Sequence, residues 1–148
     1  MCWEGKVSDR KIATRDIKTK KIVEFINGSY CGYFQKNFCY ELGKTYTAKI
    51  KPHEQESSDT YCMIDAGLHS YAWDTKMTRV TYGDIVIICT RECGIISRRF
   101  YFLSNPILAM ECTIPKGTVY YENEYGEIVS EKLILEEEIY VEDDCNFC

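Results

Sequence analysis

The sequence of 148 residues lacks any long apolar run, which bears on where the protein resides. No stretch approaches the roughly 18 consecutive apolar residues that indicate a membrane-spanning helix. The first residues, from Met1 to Lys6, also lack the apolar segment of a secretory signal peptide. We therefore predict a cytoplasmic protein that has no membrane partner.

The sequence also lacks the short motifs of several enzyme classes. It contains no GxSxG or HExxH pattern of hydrolases, no Walker A loop and no GxGxxG loop for phosphate binding. There are only two histidines, His53 and His69, although the nine cysteines leave a Cys–His pair conceivable. We expect binding rather than catalysis, so we assign no catalytic residue and predict no cofactor.

The nine cysteines are the most distinctive feature of the composition. An odd number argues against a complete set of intramolecular disulfides, and the thiols of a cytoplasmic protein are expected to be reduced. Cys145 and Cys148 have the spacing of half a zinc site, and Cys89 with Cys93 are candidates for the other half. Because a terminal pair has no following segment to fix it, we predict no metal site and expect small buried side chains instead.

The net charge of −5 hides a gradient along the chain. Residues 1–21 carry seven Lys/Arg and three Asp/Glu, whereas residues 122–148 carry ten acids and Lys132 as their one base. An acidic protein with an acidic tail is a poor candidate for general nucleic-acid binding, which needs a basic surface. We expect the tail to be solvated; the alternative is an electrostatic contact with the basic N-terminal arm of another copy, in a homo-oligomer.

Short alternating segments indicate a strand-rich fold. Leu108, Met110, Cys112 and Ile114 fall on one side of an extended chain, and a Pro115–Gly117 turn follows them. The dipeptide at 27–28, Asn-Gly, lies between two apolar runs and is a strong hairpin signal. No segment between the strands is long enough for a crossover helix, so antiparallel pairing is expected.

One segment breaks this pattern. Trp73, Met77 and Val80 have helical spacing and predict one short helix near residues 72–80. The predicted fold is therefore a β-rich α+β domain, with a mostly antiparallel sheet or a small open barrel. We divide the chain into a polar N-terminal arm at 1–20, a single β-rich domain at 21–141, and an acidic tail with the CxxC pair at 142–148.

Aromatic and basic residues near the predicted strand ends are the best candidates for a ligand site. Aromatic rings can stack on a base while basic groups hold a phosphate, which grips a small nucleotide without a phosphate-binding loop. The alternative is that the aromatic residues are core or cross-strand pairs and that the basic residues lie on a solvated face. The predicted ligand-binding residues are Tyr33, His69, Tyr71, Arg98, Arg99, Lys116 and Tyr120.

Four segments resemble a family of small uncharacterised proteins in phages of gut Bacteroidales and related mobile elements. The segments occur in the family's order, and they are KIATRDI at 11–17, YELGKTY at 40–46, GLHSY at 67–71 and CTIPKGTVYY at 112–121. The chain departs from the family pattern between Val80 and Pro106, where it is longer, and in its acidic tail. The resemblance implies a phage or phage-derived source and a location in the host bacterial cytosol.

The resemblance implies no fixed activity, so several functions stay open. Phage proteins of this size include antagonists of host immunity, and some of these sequester the nucleotides that bacterial defence systems use as signals. We predict such a non-catalytic protein, which binds a small anionic ligand. The alternatives are a virion-accessory or host-protein-binding protein, and an enzyme similar to ADP-ribosyltransferases. In such an enzyme His69 and Tyr71 would line the nicotinamide pocket and Glu131 would be the glutamate that the reaction needs.

Overall fold

A computed structural model describes residues 3–32, 38–55, 58–82, 85–90 and 105–143. The described residues form sixteen strands and one turn of 3-10 helix at Val7–Asp9. The strands are β1 (Trp3–Lys6), β2 (Arg10–Ile12), β3 (Ile17–Ile26), β4 (Ser29–Gly32), β5 (Cys39–Tyr40), β6 (Thr45–Thr47), β7 (Pro52–Gln55), β8 (Ser58–Ile64), β9 (Leu68–Ala72), β10 (Met77–Tyr82), β11 (Ile85–Thr90), β12 (Ile107–Ile114), β13 (Val119–Glu122), β14 (Glu127–Ser130), β15 (Lys132–Ile139) and β16 (Glu142–Asp143).

Ten of the strands belong to one sheet. Eight of them follow the order β2-β13-β14-β9-β3-β12-β15-β6, while β4 pairs with the far end of β3 and with β5. All these pairs are antiparallel. Among the described residues β2 and β6 are the two ends of this order, so the sheet does not close into a barrel.

Two smaller sheets complete the fold. One has the order β1-β8-β7 and is antiparallel. The other has the order β11-β10-β16, in which β16 runs parallel to β10. The prediction of a strand-rich, mostly antiparallel fold is therefore confirmed.

The main core lies against one face of the ten-stranded sheet. Its fully buried members include Met110, Cys112 and Ile114 of β12 together with Leu133 and Leu135 of β15. The alternation along β12 places these side chains inward. Burying a leucine or isoleucine side chain contributes about 1.5–3 kcal/mol, so this face accounts for much of the stability.

The smaller sheets pack through two further clusters. The Trp3 cluster joins the sheet of β8 to β13 and β14, and its buried members are Trp3, Cys62, Ile64, Tyr121 and Val129. The Met77 cluster joins the sheet of β10 to β12, and its buried members are Met77, Ile88, Ile107, Ala109 and Val141. Each small sheet thereby covers a part of the large one.

The hairpin predicted at Asn27–Gly28 is present between β3 and β4. Both residues have positive φ values, 48° and 81°. Glycine adopts this conformation without a steric penalty, and asparagine tolerates it better than most residues. The local sequence therefore determines this turn.

The helix predicted near residues 72–80 is wrong. Trp73 lies in a turn, where the Thr75 N–H donates to the Ala72 carbonyl at 2.9 Å. Met77 and Val80 lie in β10, and both are buried although they point to opposite sides of the strand. A strand that is covered on both sides has no two-residue apolar period, so three apolar residues matched a helix by coincidence.

The N-terminal segment differs from the predicted polar arm. It contributes β1, β2 and the beginning of β3, and Trp3 is fully buried. The Trp3 ring packs at 5.6 Å from the Tyr121 ring, and its Nε1–H donates to the Glu127 carbonyl at 2.7 Å. A single tryptophan that packs into a cluster distant in sequence produces no periodic pattern, so the sequence does not predict its burial.

Of the predicted acidic tail, Glu142 and Asp143 form β16, and residues 144–148 lie outside the described residues.

A disulfide joins Cys31 of β4 to Cys39 of β5, contrary to the expectation that the thiols are reduced. The two residues are directly paired across the strands, with their Cα atoms 4.0 Å apart. Cys62 and Cys112 are fully buried. Of the four candidates for metal binding, Cys89 lies in β11, and Cys93, Cys145 and Cys148 lie outside the described residues.

Among the residues that the structure describes, none form a helix with the length and apolar character that crossing a membrane requires.

Candidate functional site: a basic cleft around Trp73

The structure does not bring the described members of the predicted site together. Tyr33, Arg98 and Arg99 lie outside the described residues. His69 and Tyr71 lie on β9, whereas Lys116 lies in the turn before β13 and Tyr120 lies near the beginning of β13. The two pairs therefore need separate descriptions.

His69 is an interior residue. It is 9% exposed, and its Nε2 lies 3.2 Å from the Asp65 carbonyl oxygen. Burial lowers the pKa of His69 to about 4; the hydrogen bond to Asp65 opposes this shift, and the nearby Lys21 ammonium adds to it. The imidazole is therefore neutral near pH 7 and packed into the fold, away from any open cleft described here. Tyr71 packs against the Met77 cluster.

A second polar group, the partly exposed Lys21, lies beside His69. The Lys21 ammonium donates to the His69 carbonyl at 2.6 Å and lies 5.6 Å from the centre of the Tyr40 ring. Burial lowers the pKa of Lys21 to about 8, and burial raises the pKa of the Cys112 thiol to about 12. A thiol that stays protonated is a poor nucleophile, so this cluster is structural.

An open cleft of about 590 Å³ lies at the end of the sheet where β2 leads into β3. It is lined by Ile12, Thr14, Arg15, Asp16, Ile17, Lys18, Trp73 and Tyr120. We call it the Trp73 cleft. Of the predicted site residues it contains Tyr120, a buried member of the main core, and it adjoins the turn that holds Lys116.

Backbone hydrogen bonds fix the wall of the cleft. The Ala13 N–H donates to the Thr118 carbonyl at 2.9 Å, and the Gly117 N–H donates to the Ala13 carbonyl at 2.7 Å. The Asp16 carboxylate accepts the Lys116 N–H at 2.9 Å. The loop at 13–16 is thus attached to the turn at 115–118. The backbone at Arg15 is therefore already ordered, so little further backbone entropy is lost when a ligand binds.

Trp73 gives the cleft its aromatic surface. The side chain is 41% exposed, and two ammonium groups lie over its ring, Lys18 Nζ at 5.4 Å and Lys20 Nζ at 5.2 Å from the centroid. Both distances are within the range of a cation–π interaction. Lys20 is held in place because it also donates to the Thr75 carbonyl at 2.9 Å. Partial burial lowers the pKa of Lys20, and the Asp74 carboxylate opposes that shift.

The surroundings of the cleft are strongly basic. The segment from Arg10 to Lys21 contains six Lys/Arg and a single acid, Asp16. Glu111 takes up part of this charge, because its carboxylate lies 3.2 Å from Lys18 Nζ. The Lys18 side chain is nevertheless 66% exposed, whereas that of Glu111 is 16% exposed, and an ion pair with one exposed partner is weakened by solvent.

The groups of the cleft are suited to the recognition of a ligand. The eight described residues that line it include no histidine or cysteine. They offer two aromatic rings, two cationic side chains, one carboxylate, two hydroxyls and apolar walls. Such a set binds a planar ring and an anionic group side by side.

Most of this site differs from the predicted one, although the sequence contains a signal for it. The excess of positive charge in residues 1–21 predicts a polar arm, whereas part of this segment forms the wall of the cleft. The spacing of Trp73 predicts a helix, whereas Trp73 lies in the turn after β9. The alternation of Lys18 and Lys20 along a strand is the pattern that would have placed both lysines on one face.

Comparisons with protein-family models, with curated proteins and with solved structures found no match to this chain. The likeness to the phage family therefore remains a prediction, and function has to be argued from the cleft.

Proposed function

We propose that the protein binds a nucleotide, a small anionic ligand with an aromatic ring, in the Trp73 cleft. The protein does not transform this ligand chemically. The single observation that supports this most is the half-exposed Trp73 ring with the Lys18 and Lys20 ammonium groups within 5.4 Å of its centroid. An exposed tryptophan among cations offers a stacking surface and charge neutralisation at one place.

The roles of the residues follow from their chemistry. Trp73 stacks on the base, because base–aromatic stacking contributes about 1–3 kcal/mol per base. Arg15 pairs with a phosphate through its planar guanidinium, which can donate two parallel hydrogen bonds. Lys18 supplies a second cation when it exchanges Glu111 for the ligand. Tyr120 closes the apolar end of the cleft.

A narrower proposal rests on the resemblance to phage proteins. In it the nucleotide is a signal of host immunity, and the protein sequesters this signal in the host bacterial cytosol as a counter-defence. The lining of the cleft supports the ligand class alone, so identification of the nucleotide depends on a binding screen.

The test uses the two tryptophans of the chain. Trp3 is fully buried and Trp73 is 41% exposed, so a ligand that stacks in the cleft quenches the emission of Trp73 and leaves that of Trp3. We would titrate the full chain with cyclic dinucleotides, cyclic ADP-ribose isomers, NAD and ADP-ribose. Recovery of the ligand intact by chromatography separates binding from the transferase alternative.

Two variants and one control complete this experiment. Trp73→Ala and Arg15→Gln should each weaken nucleotide binding by about 1–3 kcal/mol, which is a factor of about 5–150 in affinity. Binding to the Trp73→Ala variant is measured by calorimetry, because this variant lacks the fluorescent side chain of the cleft. Lys51→Gln removes an exposed cation that does not line the cleft and should change the affinity less than twofold. No quenching by any nucleotide at millimolar concentration would refute the proposal, as would equal losses in all three variants.

A further inference from the structure

Tyr140 is a large aromatic residue on the surface, and its exposure has no explanation in the packing of the fold. Its side chain is 86% exposed, the highest value among the exposed large apolar residues described. Ile139 before it is paired in β15, and Val141 after it is buried in the Met77 cluster. Because both neighbours are held, the tyrosine is presented on a fixed backbone.

Tyr140 is surrounded by acids. Residues 136–143 contain five Asp/Glu and no Lys or Arg. Glu137, Glu138, Glu142 and Asp143 are exposed. One base lies close by in the sheet, since Arg79 of β10 is paired with Asp143. We call Glu137, Glu138, Tyr140, Glu142 and Asp143 the acidic ridge.

The acidic ridge and the Trp73 cleft are complementary. The ridge presents an aromatic ring among carboxylates, and the cleft presents an aromatic ring among cations. Tyrosine and tryptophan favour contact across interfaces, and neighbouring opposite charges steer the two surfaces together. The excess of acids at 136–143 and the excess of bases from Arg10 to Lys21 are each about five charges.

Tyr140 cannot reach the Trp73 cleft of the same molecule, although Glu137 is paired with Glu111 and so lies two strands from Lys20. Ile139 is paired with Ala109, and Ala109 is paired with Ile22, four residues along β3 from Lys18. Two strand spacings and four residues place the Cα atoms of Ile139 and Lys18 about 17 Å apart. That separation exceeds the reach of a tyrosine side chain whose neighbours are fixed, so the complementary surface has to come from another molecule.

We propose that the acidic ridge docks into the Trp73 cleft of a second copy of this chain, with Tyr140 stacked against Trp73. Two such contacts related by a two-fold axis close the assembly as a dimer, because each copy offers one ridge and one cleft. This inference goes beyond the proposed function and does not depend on it. The two share the cleft, so a bound nucleotide and the dimer exclude each other.

Charge reversal tests the contact. Sedimentation equilibrium of the full chain at about 50 mM salt should show a dimer that dissociates at about 500 mM salt, where exposed charges are screened. A ridge variant, Glu137→Lys with Glu138→Lys, and a cleft variant, Arg15→Glu with Lys18→Gln, should each weaken association at least tenfold. An equimolar mixture of the two variants should form the dimer again, because each reversed surface then meets an opposite charge. Tyr140→Ser should weaken association without changing net charge.

The outcomes separate the possibilities. A wild-type chain that is monomeric at 100 μM and low salt, a dimer that persists in both variants, or a mixture that stays monomeric would each overturn the proposal. Unchanged melting temperatures in the variants exclude misfolding as the cause of weaker association. Nucleotide titration of the monomeric ridge variant, whose cleft is intact, tests the proposed ligand function separately.

Discussion

The buried imidazole of His69 predicts that the protein loses stability as the pH falls from 6.5 to 4. The folded state lowers the pKa of His69 from 6.5 to about 4, so the unfolded chain binds more protons throughout this interval. The stabilising contribution is fully present above pH 6.5 and is lost as the pH falls towards 4. The difference between the two pKa values corresponds to about 3.4 kcal/mol.

The measurement is the free energy of unfolding by urea at several pH values. Between pH 7 and pH 4.5 this one group accounts for a loss of about 2.5 kcal/mol. Carboxylates also titrate at the lower end of the interval, so the wild-type slope alone does not isolate His69. His69→Gln keeps a donor for the Asp65 carbonyl and cannot be protonated, and its loss of stability over the same interval should be smaller by about 2.5 kcal/mol.

The other histidine supplies the control. His53→Gln should leave the pH dependence of the wild type unchanged if the effect belongs to His69. Lys21 does not confuse the result, because with a pKa of about 8 it stays protonated in the folded and in the unfolded state below pH 6.5. A difference of less than 0.5 kcal/mol between the wild type and His69→Gln would refute the burial of an uncharged imidazole.

Three other predictions concern stability. Leu135→Ala should lower the free energy of unfolding by about 2–5 kcal/mol in urea titrations, because it opens a cavity in the main core; a loss below 1 kcal/mol would place Leu135 outside the core. Gly67→Ala should lower the melting temperature more than Gly43→Ala. Both glycines have positive φ, but a Cβ at position 67 overlaps a methyl group of Val129, whereas the space at position 43 is open. Equal shifts of the melting temperature would contradict this. Dithiothreitol should lower the free energy of unfolding of the wild type by about 2.5 kcal/mol, because that is the chain-entropy value for an eight-residue loop. It should not affect the double variant Cys31→Ser with Cys39→Ser. An equal effect on both proteins would argue against the disulfide.

The parts of the fold that local sequence determines were predictable. The Asn27–Gly28 turn needs two positive φ values, and this dipeptide provides them at low cost. The alternation from Leu108 to Ile114 gave β12 its inward face because one side of that strand meets the main core and the other does not. These features depend on a few neighbouring residues, which a sequence displays directly.

The features that were missed depend on contacts distant in sequence. Trp3 is buried by Tyr121 and Val129, more than a hundred residues away, so its polar neighbours suggested an arm. The disulfide requires Cys31 and Cys39 to meet across β4 and β5, and nothing local distinguishes them from the other seven cysteines. The Trp73 cleft assembles residues from three separate segments, so only its basic character was visible in the sequence.

In the described part of the chain, the groups with strongly shifted pKa values lie away from the Trp73 cleft. Catalytic sites place groups with strongly shifted pKa values where substrate can reach them. Here His69, Lys21 and Cys112 are shifted by burial among core side chains, and none of the three lines the Trp73 cleft. The cleft instead presents Arg15 and Lys18, whose positive charges can attract and hold an anion. The groups with shifted pKa values thus lie in the interior, where they bear on the stability of the fold, and the charged groups of the cleft support the proposed binding of an anionic ligand.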